Sequence, residues 1–153
     1  GPRAAIELDF VYQGPSTLET PLASGELRRQ IGVELRAQDA CNLVYVMWHI
    51  EPKQLIQVSV KANPGQTHSA QCGDHGYSIL QPLKSRAIPR VAVGQRHTLE
   101  AVLDGARLQV LADGVTSWIG QLPPAAQAFD GPVGVRSDNG DFQVQLRASS
   151  PAG

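Results

Sequence analysis

Apolar residues recur at every second position along much of this chain, and Asp-Gly and Asn-Gly pairs cut the alternating runs short. A period of two belongs to strands with one buried face, and no stretch holds a 3.6 period. Ile6, Leu8, Phe10 and Tyr12 share one face, with Glu7 and Asp9 opposite. Ile31, Val33 and Leu35 alternate with Gly32, Glu34 and Arg36, and Ile56, Val58 and Val60 with Gln57, Ser59 and Lys61, before Pro64-Gly65 ends the run. Cys41 to Ile50 is apolar on both faces, which predicts a central strand covered on two sides. Asp104-Gly105 and Asp113-Gly114 are hairpin signals, and Asp138-Asn139-Gly140 reads as a third hairpin turn between Val133, Val135 and the run Phe142, Val144, Leu146. The expectation is an all-β antiparallel sandwich of eight to ten strands with short hairpin turns. One long rim loop runs from Pro64 to Val91, and a single helical turn falls within Gln121–Phe129.

Composition bounds the partners. The 15 Gly and 11 Pro are about 17% of the chain, above the roughly 12% average, as a turn-rich β fold requires. A net charge of -1 without a basic stripe argues against nucleic acid. No apolar window is long enough for a membrane span. At 153 residues the chain forms one domain with a core of its own. Gly1-Pro2 has the look of a scar left by a tag-cleaving protease, and 149–153 reads as a linker or disordered tail, so the domain is expected over 3–148. A bridge between Cys41 and Cys72 would close a loop of about 30 residues and point to a secreted, periplasmic or cell-envelope protein.

Two stretches carry a family likeness: 97–105 leading into 108–114, and Gly131-Pro132-Val133-Gly134-Val135-Arg136-Ser137 running into a closing strand that ends at Arg147. They resemble the second half of a concanavalin A-like jelly roll, the laminin-G and lectin/glucanase architecture. The nearest flavour is a sugar-associated group that includes 3-keto-glycoside hydrolase-like domains. The resemblance implies that the closing strand pairs beside Ile6–Tyr12. It says little of function, because such folds serve lectins, glycosidases and adhesion modules alike.

Candidate sites follow from residue chemistry. The glucanase branch uses Glu-x-Asp-x-x-Glu, and Glu7-Leu8-Asp9 supplies only two of those acids, a pattern that suits the solvated face of an edge strand. His68, Cys72 and His75, with Asp74 alongside, have zinc-ligand spacing, but a thiolate ligand excludes the disulfide. Asp138 and Asp141 offer oxygens for calcium, and apart from that possibility no cofactor is expected. No nucleophile elbow or phosphate-cradling glycine motif occurs. On the central strand Tyr45, Met47 and His49 face one way and Val46 and Trp48 the other. Trp48 either fills the core or stacks on a sugar, with Arg36, Lys61 and Arg136 reaching its hydroxyls. Trp118 reads as a packing residue. The candidate ligand-binding set is Arg36, Trp48, Lys61, His75, Tyr77 and Arg136. The expected function is a non-catalytic recognition module that binds a glycan or glycosylated partner on the concave sheet or rim loops. The alternatives are a protein-interaction or assembly domain, and a glycoside hydrolase or lyase with a site around His49, Glu51 and His75.

Overall fold

The computed structural model describes residues 3–149. The readings given to 1–2 and 150–153 lie outside them, while Ser149 belongs to the last strand and pairs with Ala5. Among the described residues eleven strands form two antiparallel sheets, one or more beyond the eight to ten expected. The six-stranded sheet runs β11 (Gly140–Ser149), β1 (Arg3–Pro15), β7 (Arg96–Asp104), β8 (Arg107–Ala112), β9 (Val115–Gln121), β6 (Lys84–Ser85). The five-stranded sheet runs β10 (Gly134–Asp138), β2 (Arg29–Asp39), β3 (Asn42–Glu51), β4 (Leu55–Lys61), β5 (Tyr77–Ile79).

Alternation becomes burial. Ile6, Leu8, Phe10 and Tyr12 meet Ile31, Val33, Val46, Trp48 and Val58 across the gap between sheets. β3 is buried along nearly its whole length, as its two-sided apolar pattern requires, and its second face carries a separate small cluster of Leu43, Tyr45 and Met47. Asp113-Gly114 closes the β8–β9 hairpin with φ of 50° and 81°, the paired positive values of a type I′ turn. Gly105 turns β7 into β8. β11 pairs with β1 in the register Leu8↔Leu146, where the family likeness placed it. The helical turn is α2 (Pro124–Gln127).

Three expectations change. Asp138-Asn139-Gly140 is no hairpin: Asp138 pairs with Gln30 in one sheet and Gly140 with Pro15 in the other, so the chain changes sheet through Asn139. A single residue is too short to fold one strand back on the next, but it suffices to turn a corner. Asn139 (φ 62°) fixes that corner, donating Nδ2 to the carbonyls of Thr20 and Arg28 and accepting the Thr20 amide on Oδ1. Second, 64–91 is not one long loop. It contains α1 (Ser69–Cys72) and two short edge strands, β5 and β6, and crosses between sheets from Ile79 to Lys84. Third, β1 is interior, not an edge, so Asp9 is buried rather than solvated.

Candidate functional site

The outer face of the five-stranded sheet carries a groove of about 310 Å³. Pairing register assembles its floor. Gln30 lies opposite His49, Gly32 opposite Met47, Tyr45 opposite Ser59, and Met47 opposite Gln57, so Gln30, Met47, Tyr45, Gln57 and Ser59 form one sheet surface. Arg136 pairs with Gly32 from the edge strand β10. A Cβ on Gly32 would collide with the Val46 carbonyl and Met47, so glycine is what lets the strands and the Met47 side chain come together here. One end is walled by Leu22, Ala23, Ser24 and Arg28 from the β1–β2 connection; Asp74, Tyr77 and Ile79 border the other side.

A column of cations and rings organises this surface. The Arg136 guanidinium lies 4.8 Å from the Tyr45 ring centroid, Tyr45 stacks on Tyr77 at 5.8 Å, and Lys61 Nζ lies 5.1 Å from the Tyr77 centroid. Burial and the Tyr77 hydroxyl 3.5 Å away push the Tyr45 phenol well above its ordinary range, so it stays protonated. Arg136 donates Nε to Asp138 at 3.1 Å. Burial disfavours its charge, but Asp138 together with Tyr45 and Tyr77 outweighs that and raises its pKa. Burial likewise raises the carboxyl of nearby Glu34, with Arg136 opposing. Gln30 donates Nε2 to Asp138 at 2.7 Å, while its Oε1 has no partner among the described residues.

The groove's far wall is pinned from below. Cys41 and Cys72 form a disulfide (Cα–Cα 5.9 Å) that ties α1 to the β2–β3 turn. Lys61 Nζ donates to the Gly73 carbonyl at 2.6 Å, and Asn63 Nδ2 donates to the carbonyls of Cys41 and His75. Asp74 and Tyr77 therefore hang on a short segment held at both ends.

The candidate residues separate accordingly. Tyr77 and Arg136 line the groove, and Lys61 supports it from beneath Tyr77. Trp48 does not reach it: the indole is fully buried between the sheets, so it is a core residue and no sugar platform, and Trp118 is buried as well. Arg36 is spent elsewhere, donating to the carbonyls of Ala126, Gln127 and Gly105. His75 is exposed beside the groove, one residue past Asp74, and is not part of its lining. The zinc arrangement is corrected, because the Cys72 sulfur is committed to the disulfide. Asp138 and Asp141 fall on different sheets, and Asp138 is already bound to Arg136 and Gln30. Of the residues lining the groove, Gln57 and Ser59 were readable as the polar positions of an alternating strand. Gln30 and Arg28 carry no local signal, and nothing local assigns Asp74 to this groove; the register, the β1–β2 connection and the pinned segment after α1 bring them here.

Other surfaces differ in kind. Glu7 and Asp9 occupy the outer face of the six-stranded sheet, beside a wider, shallow depression of about 530 Å³ lined by Ala5, Glu7, Glu100, Arg147 and Ala148. Glu7 and Asp9 are both bound to Arg147. Asp9 accepts from Thr98 Oγ1 at 2.7 Å and from Arg96 and Arg147 at 2.6 Å each. The Thr98 hydrogen bond, with the two guanidiniums, holds its carboxyl below the ordinary value against the opposing effect of burial. A carboxylate kept ionised in this way suits structural pairing, not proton donation.

His49, at the base of the groove face, is buried, with Nε2 unpartnered among the described residues, and burial together with nearby Arg28 pushes its imidazole down to about 4. Between the ordinary value near 6.5 and that value the unfolded chain holds a proton that the folded chain does not. Stability therefore rises with pH through this window and is lost on acidification. We expect roughly 3 kcal/mol to disappear between about pH 7 and pH 4. In urea titrations across that range, His49→Gln should flatten the curve; an unchanged pH profile would contradict the assignment.

No family model and no curated protein matches the sequence. Solved structures do match. A carbohydrate binding module, CBM66, from Bacillus subtilis superposes with a TM-score of 0.65 at 13% identity, covering 98% of this chain and 76% of that one. The chain has the concanavalin A-like jelly-roll fold. Sheep galectin-11, in complex with glycerol, superposes on this jelly roll with a TM-score of 0.56 at 8% identity, covering 97% and 91% of the two chains. CG-16, a homodimeric agglutinin from chicken liver, does so with a TM-score of 0.55 at 10% identity, covering 97% and 92%. The described helices of the jelly roll include none long and apolar enough to cross a membrane.

Proposed function

We propose that this jelly roll is a non-catalytic glycan-recognition module whose site is the outer groove of the five-stranded sheet. The observation that carries this is the lining itself. An apolar floor of Met47 and the edge of Tyr45 is ringed by groups that donate to or accept from hydroxyls: Arg136, Gln57, Ser59, Asp74 and Tyr77. The volume is what about ten waters would fill, which suits a sugar unit or two. Similar folds named as a carbohydrate binding module and an agglutinin support the reading. The Cys41–Cys72 bridge supports an oxidising, extracellular or periplasmic setting.

The test is a glycan-array screen, with and without added calcium, followed by calorimetry on the best ligand. Arg136→Ala and Tyr77→Ala should each weaken binding on the order of 10- to 100-fold, the value of losing hydrogen bonds to a charged donor or a ring contact. Thermal melts should show both variants folded. The reading fails if the screen gives no ligand or if both folded variants bind as the parent does.

A further inference from the structure

Between Asp74 and Glu100 the chain has no acidic residue, although 14 acids over 153 residues would place about two there. The same stretch holds Lys84, Arg86, Arg90 and Arg96. Arg96 is neutralised by Asp9. Lys84, Arg86 and Arg90 are exposed, and among the described residues none makes an ion pair. By contrast Arg28, Arg29, Arg136 and Arg147 all do.

Lys84 and Arg86 are displayed on a fixed backbone, and Arg90 follows between Ile88, which packs on the core, and the buried Val91. The Leu83 amide donates to the Ile119 carbonyl at 2.7 Å and the Arg86 amide to the Ser117 carbonyl at 3.0 Å, with Lys84 and Ser85 paired to Ile119 and Trp118 between them. Beside Lys84 and Arg86 lies a depression of about 210 Å³, completed by Thr116, Ser117 and Ile119. From Lys84 to Arg90 the chain reaches at most roughly 20 Å. The strip begins five residues after Ile79, which borders the groove, on the edge where the chain crosses from one sheet to the other.

We propose that this edge is a second, anion-binding subsite, and that the ligand of the module is an acidic polysaccharide: a sugar unit occupies the groove while carboxylate or sulfate groups further along the chain meet Lys84, Arg86 and Arg90. The proposal rests on the groove being a glycan site. Charge complementarity selects the partner, and continuity with the groove selects a polysaccharide over other polyanions. Three guanidinium and ammonium groups in water give modest affinity that salt screens strongly.

The experiment measures binding of the full chain to polygalacturonate, alginate and chondroitin sulfate, and to polygalacturonate whose carboxyls are methyl-esterified. At least one acidic polymer should bind on the order of 10-fold more weakly when salt is raised from about 50 to about 200 mM, as for a linear polyanion held by a few cations. If polygalacturonate is bound, esterification should weaken it comparably. Lys84→Gln/Arg86→Gln/Arg90→Gln, all at exposed positions, should erase the salt dependence and leave neutral-sugar binding in the groove intact. The proposal is overturned if the triple variant keeps its preference for acidic polymer, if no acidic polymer binds in a salt-sensitive way, or if phosphatidylserine vesicles capture the protein when the polysaccharides do not. Failure of the groove reading looks different: Tyr77→Ala would then leave polymer binding unchanged while the triple variant still abolished it.

Discussion

Trp48→Ala is expected to cost about 3–5 kcal/mol of unfolding free energy, a large part of the 5–15 kcal/mol that holds a typical domain together. The indole is fully buried and joins the sheets. It meets Phe10 of β1 edge-on at 5.4 Å with an interplanar angle of 85°, and His97 of β7 at 5.3 Å. Removing it leaves a cavity bounded by strands that are hydrogen-bonded on both sides and cannot collapse inward. The measurement is urea unfolding at neutral pH, read as a lower midpoint at constant slope. Trp48→Phe supplies the second half of the test. It keeps a ring in the core, should recover much of the loss, and should bind groove ligand as the parent does. A Trp48→Phe protein that is stable yet cannot bind would return this residue to the binding site.

Breaking the Cys41–Cys72 bridge has the next largest expected effect, and it reads out on two scales. Opening a loop of sequence separation 31 removes a constraint on the unfolded chain worth about 3–4 kcal/mol. Cys41→Ser/Cys72→Ser should therefore melt well below the parent. At a temperature where the variant is still folded, its ligand affinity should also fall, because α1 carries the segment bearing Asp74 and Tyr77. Lys61 and Asn63 retain part of that hold, so binding should be weakened and not lost. Reductant added to the parent should reproduce both changes. Unaltered affinity in the folded variant would show that the groove wall does not depend on the disulfide.

How much of this was readable beforehand depends on the range over which each signal acts. The core faces of β1, β2, β4, β7 and β8 follow from alternation, and Asp113-Gly114 specifies its turn through the backbone angles that pair accepts. The two-sided apolar run of β3 announced a central strand. The Asn139 corner uses the same residue types as a hairpin, and only the partner strands, more than a hundred residues away in sequence, tell the two apart. Strands as short as β6 are too brief to show any period. Asp9 looked solvated because Glu7 and Asp9 are acids on one face; its burial comes from Arg96, Thr98 and Arg147 on the two flanking strands. The groove was half legible. Arg136, Tyr77 and Lys61 were picked from residue chemistry, whereas Gln30 and Asp74 arrive through pairing and a pinned loop.

The register of β1 against β11 bears on how such a module would respond to load. Ala5 lies opposite Ser149, so the two ends of the described chain leave the same corner of the same sheet. Tension applied through those two ends would not shear the long β1–β11 ladder as a unit. It would peel the strands apart one hydrogen-bonded pair at a time, starting at Ala5 and Ser149. The groove lies on the other sheet, away from where that peeling begins.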